Sequence, residues 1–154
     1  MQTLPHRHLT TLTLVVDFAG VLAVGQVREG FRGLAQITGG TFAGAVLAGH
    51  VIGGHDRFTR RPDGTLMIDV RLALETGDGA AILLSYQGHM LAPPEAMAKF
   101  RRGEILAGGY RLEIAARFET GDERYAWLND AIVVGIGEQT ATGPIYTLFE
   151  IGRT

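Results

Sequence analysis

Carboxylates and arginines are the side chains of this sequence with the clearest potential for chemistry. Asp69 and Arg71 are two residues apart, so in a strand both lie on one face. Glu119 ends another strand-like segment, whose polar positions also carry Arg117. Such groups transfer protons or hold an oxyanion when a pocket gathers them.

An aromatic segment follows Glu119. If residues 125–129 form a strand, Tyr125, Trp127 and Asn129 share one face. The only tryptophan and the only asparagine of the chain then point the same way. An aromatic wall beside an amide is typical of a pocket for a small ligand, because it combines apolar area with a few orienting polar groups.

The histidines raise the question of a metal site. His6 and His8 form a His-x-His pattern, but the carboxylate that follows this pattern in cupin barrels is absent. A cluster of His50, His55 with Asp56, and His89 is the alternative that remains open. The favoured interpretation is that these are surface or hydrogen-bonded loop histidines, and we predict no metal and no cofactor.

Several classes of function are excluded by what the sequence lacks. There is no cysteine, so disulfides, thiolate nucleophiles and zinc fingers are absent. Lys99, the only lysine, lies in a charged stretch, and Ser85, the only serine, lacks the Gly-x-Ser-x-Gly elbow. No glycine-rich segment matches a phosphate-binding motif. Carboxylate, histidine and arginine side chains remain as the agents of any chemistry.

Charge and hydropathy limit the partners. The formal net charge is -2 and the basic residues are scattered, so we expect no nucleic acid and no membrane surface as a partner. The N-terminus has no apolar signal core and no apolar run approaches a membrane span. We therefore expect a cytoplasmic protein.

The elements that must position these residues are mostly strands. Residues 65–76 alternate between apolar and polar positions and are bounded by Pro62-Asp63-Gly64 and Gly77-Asp78-Gly79, which favour turns. Further strands are predicted at 8–18, 21–28, 41–52, 80–87, 110–120, 124–135 and 145–151. Only 94–102 is predicted as a short helix.

About eight strands and one short helix predict an all-β fold, a sandwich or a closed antiparallel barrel. The 154 residues fit a single domain spanning 1–154, and the 22 glycines suit turns, bulges and bends of barrel strands. Alternation alone favours an arrangement in which Asp69, Arg71 and Arg117 form solvated ladders outside the barrel. In the alternative, polar faces line the interior.

Seven motifs in order resemble a known family. They are Gly39-Gly40-Thr41-Phe42-Ala43-Gly44, Gly53-Gly54-His55-Asp56, Pro62-Asp63-Gly64, Asp69-Val70-Arg71, Gly77-Asp78-Gly79-Ala80, Phe118-Glu119-Thr120 and Tyr125-Ala126-Trp127-Leu128-Asn129. Together they resemble an uncharacterised family of small bacterial and fungal proteins, a domain of unknown function with an allene-oxide-cyclase-like β-barrel. The resemblance implies an eight-stranded barrel that binds an apolar small molecule inside. The implied barrel is related in shape to allene oxide cyclase and the dirigent proteins, which form trimers. A homo-oligomer is therefore a possible assembly, although this property does not transfer residue by residue.

The resemblance also implies a site, to which the residues themselves add Tyr125 and His89; the positions that match family motifs are Asp56, Asp69, Arg71, Glu119, Trp127 and Asn129. Glu119 or Asp56 is expected to act as general acid or base, with Arg71 holding an oxyanion and His89 as a second proton-transfer group. The expected ligand-binding residues are Asp69, which orients Arg71, together with Tyr125, Trp127 and Asn129. The implied function is cofactor-independent cyclisation, isomerisation or hydration of an apolar oxygenated metabolite. Two alternatives are a carrier of such a metabolite and a purely structural barrel.

Overall fold

The computed structural model of the protein describes residues 1–154 and contains ten strands and two short helices. The strands are β1 (His6–Val16), β2 (Leu22–Val27), β3 (Gly30–Ala43), β4 (Gly49–Asp56), β5 (Thr59–Arg60), β6 (Leu66–Thr76), β7 (Ala81–Leu91), β8 (Arg111–Glu119), β9 (Ile132–Gln139) and β10 (Pro144–Ile151). The α-helix α1 spans Pro94–Arg101, and a 3-10 helix spans Glu123–Asp130. Neither helix is long and apolar enough to cross a membrane.

Eight of the strands close into an antiparallel barrel. Their order is β1-β10-β9-β8-β7-β6-β4-β3, and β3 pairs again with β1. The short strands β2 and β5 lie outside this ring, β2 on β3 and β5 between β3 and β6. Closure leaves the eight strands without a free edge. The predicted all-β closed barrel is therefore confirmed.

Alternation along each strand separates an apolar interior from a polar exterior. In β6, Ile68, Val70, Leu72 and Leu74 are buried, whereas Arg71 between them is exposed. Neighbouring strands continue the pattern, and one connected cluster of buried apolar side chains fills much of the barrel. Burying one such side chain contributes about 1.5–3 kcal/mol, so this interior is the main source of stability.

The two helices cover opposite ends of the barrel, because they follow consecutive antiparallel strands. Helix α1 connects β7 to β8, and the 3-10 helix connects β8 to β9. Leu128 of the 3-10 helix is fully buried. At the same end, the buried Glu150 carboxylate lies 2.7 Å from Arg7 and 3.1 Å from Arg153. The end with the 3-10 helix is thus closed, and the α1 end is the end with space.

Two of the predicted strands are wrong in detail. The segment predicted as a strand over 124–135 begins as a 3-10 helix, where the Asp122 side chain accepts a hydrogen bond from the Arg124 amide. This N-cap and the burial of Leu128 against the barrel override the apparent alternation. The segment predicted over 41–52 divides between β3 and β4, with a turn around Gly44 that packs against the backbone of β1.

Glycine pairs in β3 and β4 mark bulges inside strands. The pairing of β1 with β3 shifts register between Val15 and Val16, opposite Gly39 and Ile37. Gly40 has φ +143°, and an added Cβ there would overlap the carbonyl oxygen of Thr13. An L side chain is strained in this conformation, so only glycine fits.

Replacing Gly40 with alanine should lower the free energy of unfolding by about 2–3 kcal/mol, because both the backbone conformation and the contact with Thr13 oppose a Cβ. Gly39→Ala is the matched control. A Cβ at Gly39 meets only the Val51 carbonyl oxygen, at 3.8 Å, which is ordinary contact. Urea denaturation of both variants measures the difference, and equal effects would contradict the bulge geometry.

Candidate functional site

A bulge in β4 turns Asp56 into the barrel. Val51 lies opposite Leu74, but Gly53 rather than Ile52 lies opposite Ala73, so one extra residue is inserted. Gly53 permits this with φ +155°. Uninterrupted alternation from the inward-facing Val51 would turn Asp56 outward. The inserted residue reverses the pattern, as bulges next to functional sites often do.

The α1 end of the barrel holds a cavity of about 610 Å³. Its wall is mostly apolar and includes Leu14, Ile37, Ile68, Val70, Met97 and Phe100. Asp56, Tyr86, Gln139 and Tyr146 are among its few polar side chains. This volume and lining fit a small, largely apolar ligand that a few polar groups orient.

Burial gives Asp56 an unusual pKa. Desolvation raises the pKa of this carboxyl from 3.8 to about 7, because the apolar wall does not solvate the charged form. The Asp69 amide donates a hydrogen bond to Oδ1 of Asp56 at 3.1 Å, which lowers the pKa, and the negative charge of Asp69 raises it. A carboxyl that titrates near pH 7 can both donate and accept a proton.

Two phenols lie in the same part of the lumen. The rings of Tyr86 and Tyr146 meet edge to face, with centroids 5.2 Å apart. Tyr86 lies in one cross-strand row with Asp56, because Val70 is opposite both residues. Burial raises the pKa of both phenols, and the negative charge of Asp56 adds to the rise. They therefore stay protonated and can donate hydrogen bonds to a ligand oxygen.

Gln139 supplies an unsatisfied acceptor at the cavity wall. Its Oε1 atom is buried and has no hydrogen-bond partner, while Nε2 lies 3.9 Å from the sulfur of Met90. An unpaired buried acceptor costs about 1–3 kcal/mol. A hydroxyl donor placed beside Oε1 would remove this cost.

Asp56 is the one predicted catalytic residue that faces this cavity. Arg71 and Glu119 are exposed on the outside of the barrel, where they line a second, open cleft with Asn129. His89 also points outward, and its Nε2 lies 3.2 Å from Oε2 of Glu113. The structure therefore does not bring Arg71, Glu119 and His89 together with Asp56.

The predicted pairing of Asp69 with Arg71 is not formed. The Asp69 carboxylate instead lies 3.8 Å from the guanidinium of Arg57. Asp69 still contributes to the cavity through its backbone, because its amide binds the Asp56 carboxyl. This agrees with the arrangement that alternation alone favours, in which Asp69 and Arg71 belong to the solvated exterior, and not with the alternative in which the polar faces line the interior.

The aromatic segment lies at the opposite end of the barrel from the cavity. The Tyr125 hydroxyl donates to the Asp78 carboxylate at 3.0 Å, and the Trp127 ring packs under the Arg7 guanidinium at 5.4 Å. Asn129 joins two chain segments, since its side chain bonds both the amide and the carbonyl of Thr120. In this structure Tyr125, Trp127 and Asn129 thus hold the 3-10 helix in place.

Sequence reasoning missed Tyr86, Tyr146 and Gln139. Tyr86 and Tyr146 occupy inward positions of β7 and β10, so alternation assigns them to the core. The sequence did carry one signal, a tyrosine within a run of inward-facing aliphatic residues. Its buried hydroxyl needs a hydrogen-bond partner, which an entirely aliphatic core does not supply. No group of three or more histidine, aspartate or glutamate side chains is arranged to hold a metal ion, so the alternative of a cluster of His50, His55, Asp56 and His89 is not assembled.

Comparison with known proteins finds relatives that align with nearly the whole chain. A UPF0311 protein of Bradyrhizobium diazoefficiens is 29% identical over 150 residues, which cover 97% of each chain. The crystal structure of a conserved protein of unknown function from Rhodopseudomonas palustris superimposes with a TM-score of 0.91 at 27% identity, covering 98% of this chain and 99% of the other.

Two fungal comparisons are more distant. The hydroalkoxylation enzyme phnH of Penicillium herquei is 34% identical over 104 residues, which are 68% of this chain and 56% of that protein. A crystal structure of an enzyme from Penicillium herquei gives a TM-score of 0.71 at 25% identity, covering 98% of this chain and 96% of the other.

The family described as "Protein of unknown function (DUF3237)" matches residues 6–151. Its match spans every strand of the barrel, and the chain belongs to this family.

Proposed function

We propose that the chain is a cofactor-independent acid–base enzyme that cyclises or isomerises a small oxygenated molecule inside the barrel. The observation that carries the proposal is the Asp56 carboxyl, which has a pKa of about 7 in an apolar cavity of about 610 Å³. A general acid or base is most effective when its pKa lies near the working pH. The fungal relative named a hydroalkoxylation enzyme supports this class of reaction.

The reaction that suits these groups is the addition of an O–H bond across a C=C bond of the same molecule. The Asp56 carboxylate takes the hydroxyl proton, the oxygen forms a bond to one alkene carbon, and the π bond breaks. Asp56 then returns its proton to the other carbon, so atoms and electrons balance without a redox partner. The lumen contributes by holding the hydroxyl and the alkene in contact.

The remaining polar groups orient the substrate. Tyr86 and Tyr146 donate hydrogen bonds to an oxygen that gains negative charge, and they stay protonated because burial raises the pKa of both phenols. Gln139 Oε1 accepts a hydrogen bond from a substrate hydroxyl. The apolar wall excludes water, which would compete with the substrate oxygen.

Phenols with an ortho alkenyl chain, such as 2-allylphenol, test the proposal. We expect the protein in D₂O to convert at least one of them to its cyclic ether, with one deuterium on the carbon that receives the proton. Proton and deuterium NMR detect both changes. Saturable binding of the phenols without any product would contradict catalysis and would identify a carrier.

A further inference from the structure

Two arginines stand at the opening of the lumen. Arg60 on β5 and Arg101 at the end of α1 both line the cavity of about 610 Å³. They come from separate parts of the chain and meet at the α1 end. Arg102 and Glu104 line the same cavity as an ion pair, and most of the remaining wall is apolar, so Arg60 and Arg101 are the two positive charges of the lining without a paired carboxylate.

Arg60 is held in position by aromatic packing. Its guanidinium carbon lies 5.1 Å from the centre of the Phe31 ring, in a cation–π contact. Phe31 and Arg60 are also direct cross-strand partners between β3 and β5. A guanidinium placed in this way is prepared to bind an anion with little loss of side-chain freedom.

Neither arginine has an acidic partner. Arg102, the next residue along the chain, is neutralised by Glu104 at 2.8 Å, but no carboxylate lies within 4.0 Å of Arg60 or Arg101. Burial lowers the pKa of the Arg60 guanidinium, and the positive charge of Arg101 lowers it further. Two like charges near each other without a counter-charge favour binding of an anion.

We propose that the ligand of the lumen is an anionic amphiphile, with its apolar body inside the barrel and an acidic oxygen group, such as a carboxylate, between Arg60 and Arg101. The inference rests on the proposed function, because it assumes that the lumen is the binding site. It adds the substrate class: the acidic group lies at the mouth and the reacting part lies deeper, where Asp56 is found.

Two fluorescent probes test this charge preference. 1-Anilinonaphthalene-8-sulfonate and N-phenyl-1-naphthylamine share one aromatic skeleton, and only the first carries an anionic group. The double variant Arg60→Gln/Arg101→Gln should weaken binding of the sulfonate by about tenfold or more, as expected for loss of charged hydrogen bonds, and leave the neutral probe unchanged. Added salt should weaken only the sulfonate.

The matched control is Arg71→Gln/Arg117→Gln, which removes the same charge from the outside of the barrel. If this control weakens the sulfonate equally, the effect is one of net charge and the proposal fails. Ala35→Phe, which places a ring in the lumen wall, should weaken both probes, and a sulfonate that it does not affect binds elsewhere and overturns the proposal.

The assay measures binding and not turnover, so its result is separate from the test of catalysis. If the neutral probe binds the lumen and the sulfonate is insensitive to Arg60 and Arg101, the anionic substrate class is wrong while the proposed function stands. If neither probe binds the wild-type protein, both proposals lose their binding site.

Discussion

Replacing Asp56 with asparagine should reduce turnover of a converted alkenyl phenol by about 10²–10⁴-fold, the usual contribution of a general acid or base. Asparagine has nearly the same shape, and its Oδ1 can still accept the hydrogen bond from the Asp69 amide. It cannot exchange a proton. Initial rates and probe affinities should therefore show a large loss of kcat with affinity for the neutral probe nearly unchanged.

The pH dependence of turnover separates chemistry from structure. Because the pKa of Asp56 is raised to about 7, the wild-type rate should change with an inflection near that pH, and the variant should lack it. Glu119→Gln is the matched control, since it makes the same chemical change on the exposed outer face. A loss in Glu119→Gln equal to that in Asp56→Asn would mean that the lumen is not the reaction site.

The barrel was predictable from sequence because its signals are local. The alternation of Leu66, Ile68, Val70, Leu72 and Leu74 and the turn at Gly77-Asp78-Gly79 specify a half-buried strand and its hairpin. Several such segments in a row leave few architectures other than a sandwich or a closed barrel. These signals do not depend on knowing which strand lies next to which.

The site was less predictable because it depends on register. Asp56 faces the lumen only because one residue is inserted in β4 between Val51 and Gly53. The Gly53-Gly54 pair allows a bulge but does not show whether the extra residue lies before or after it. Arg71 and Glu119 have suitable chemistry, but regular alternation in β6 and β8 keeps them outside the barrel.

The segment after β8 shows a second limit. Tyr125, Trp127 and Asn129 fit a period of two, yet a 3-10 helix forms because Asp122 caps it and Leu128 fills the barrel end. Short apolar runs do not distinguish a strand from a helix by periodicity alone. Tertiary packing decides between them, and it removed these residues from the predicted pocket.

Asp56 should also make the protein less stable as the pH rises from about 4 to about 7. An aspartate in the unfolded chain has a pKa near 3.9, whereas the folded pKa is about 7. Between these values the folded state keeps a proton that the unfolded state has lost, so the free energy of unfolding falls with pH. At 1.36 kcal/mol per pKa unit, the loss from this one group reaches up to about 4 kcal/mol above pH 7.

The Asp56→Asn variant gives the sign of this effect directly. Its side chain is uncharged at every pH, so it should match the wild type near pH 4 and be more stable near pH 8, by up to about 4 kcal/mol. Urea denaturation of both proteins at the two pH values measures the difference. The carboxyls of Asp63, Asp78 and Asp122 have lowered pKa values, so they act in the opposite sense and only at more acidic pH.

A variant that is more stable at pH 8 and also inactive is the combination that a functional carboxyl predicts. A purely structural barrel gains nothing from an ionisable group in its apolar lumen, because an apolar side chain there would remove the penalty at neutral pH. If Asp56→Asn instead lowers stability equally at both pH values, the carboxyl holds the barrel together through its bond to the Asp69 amide. The pKa of Asp56 would then not be raised, and the proton transfer proposed for it would lose its basis.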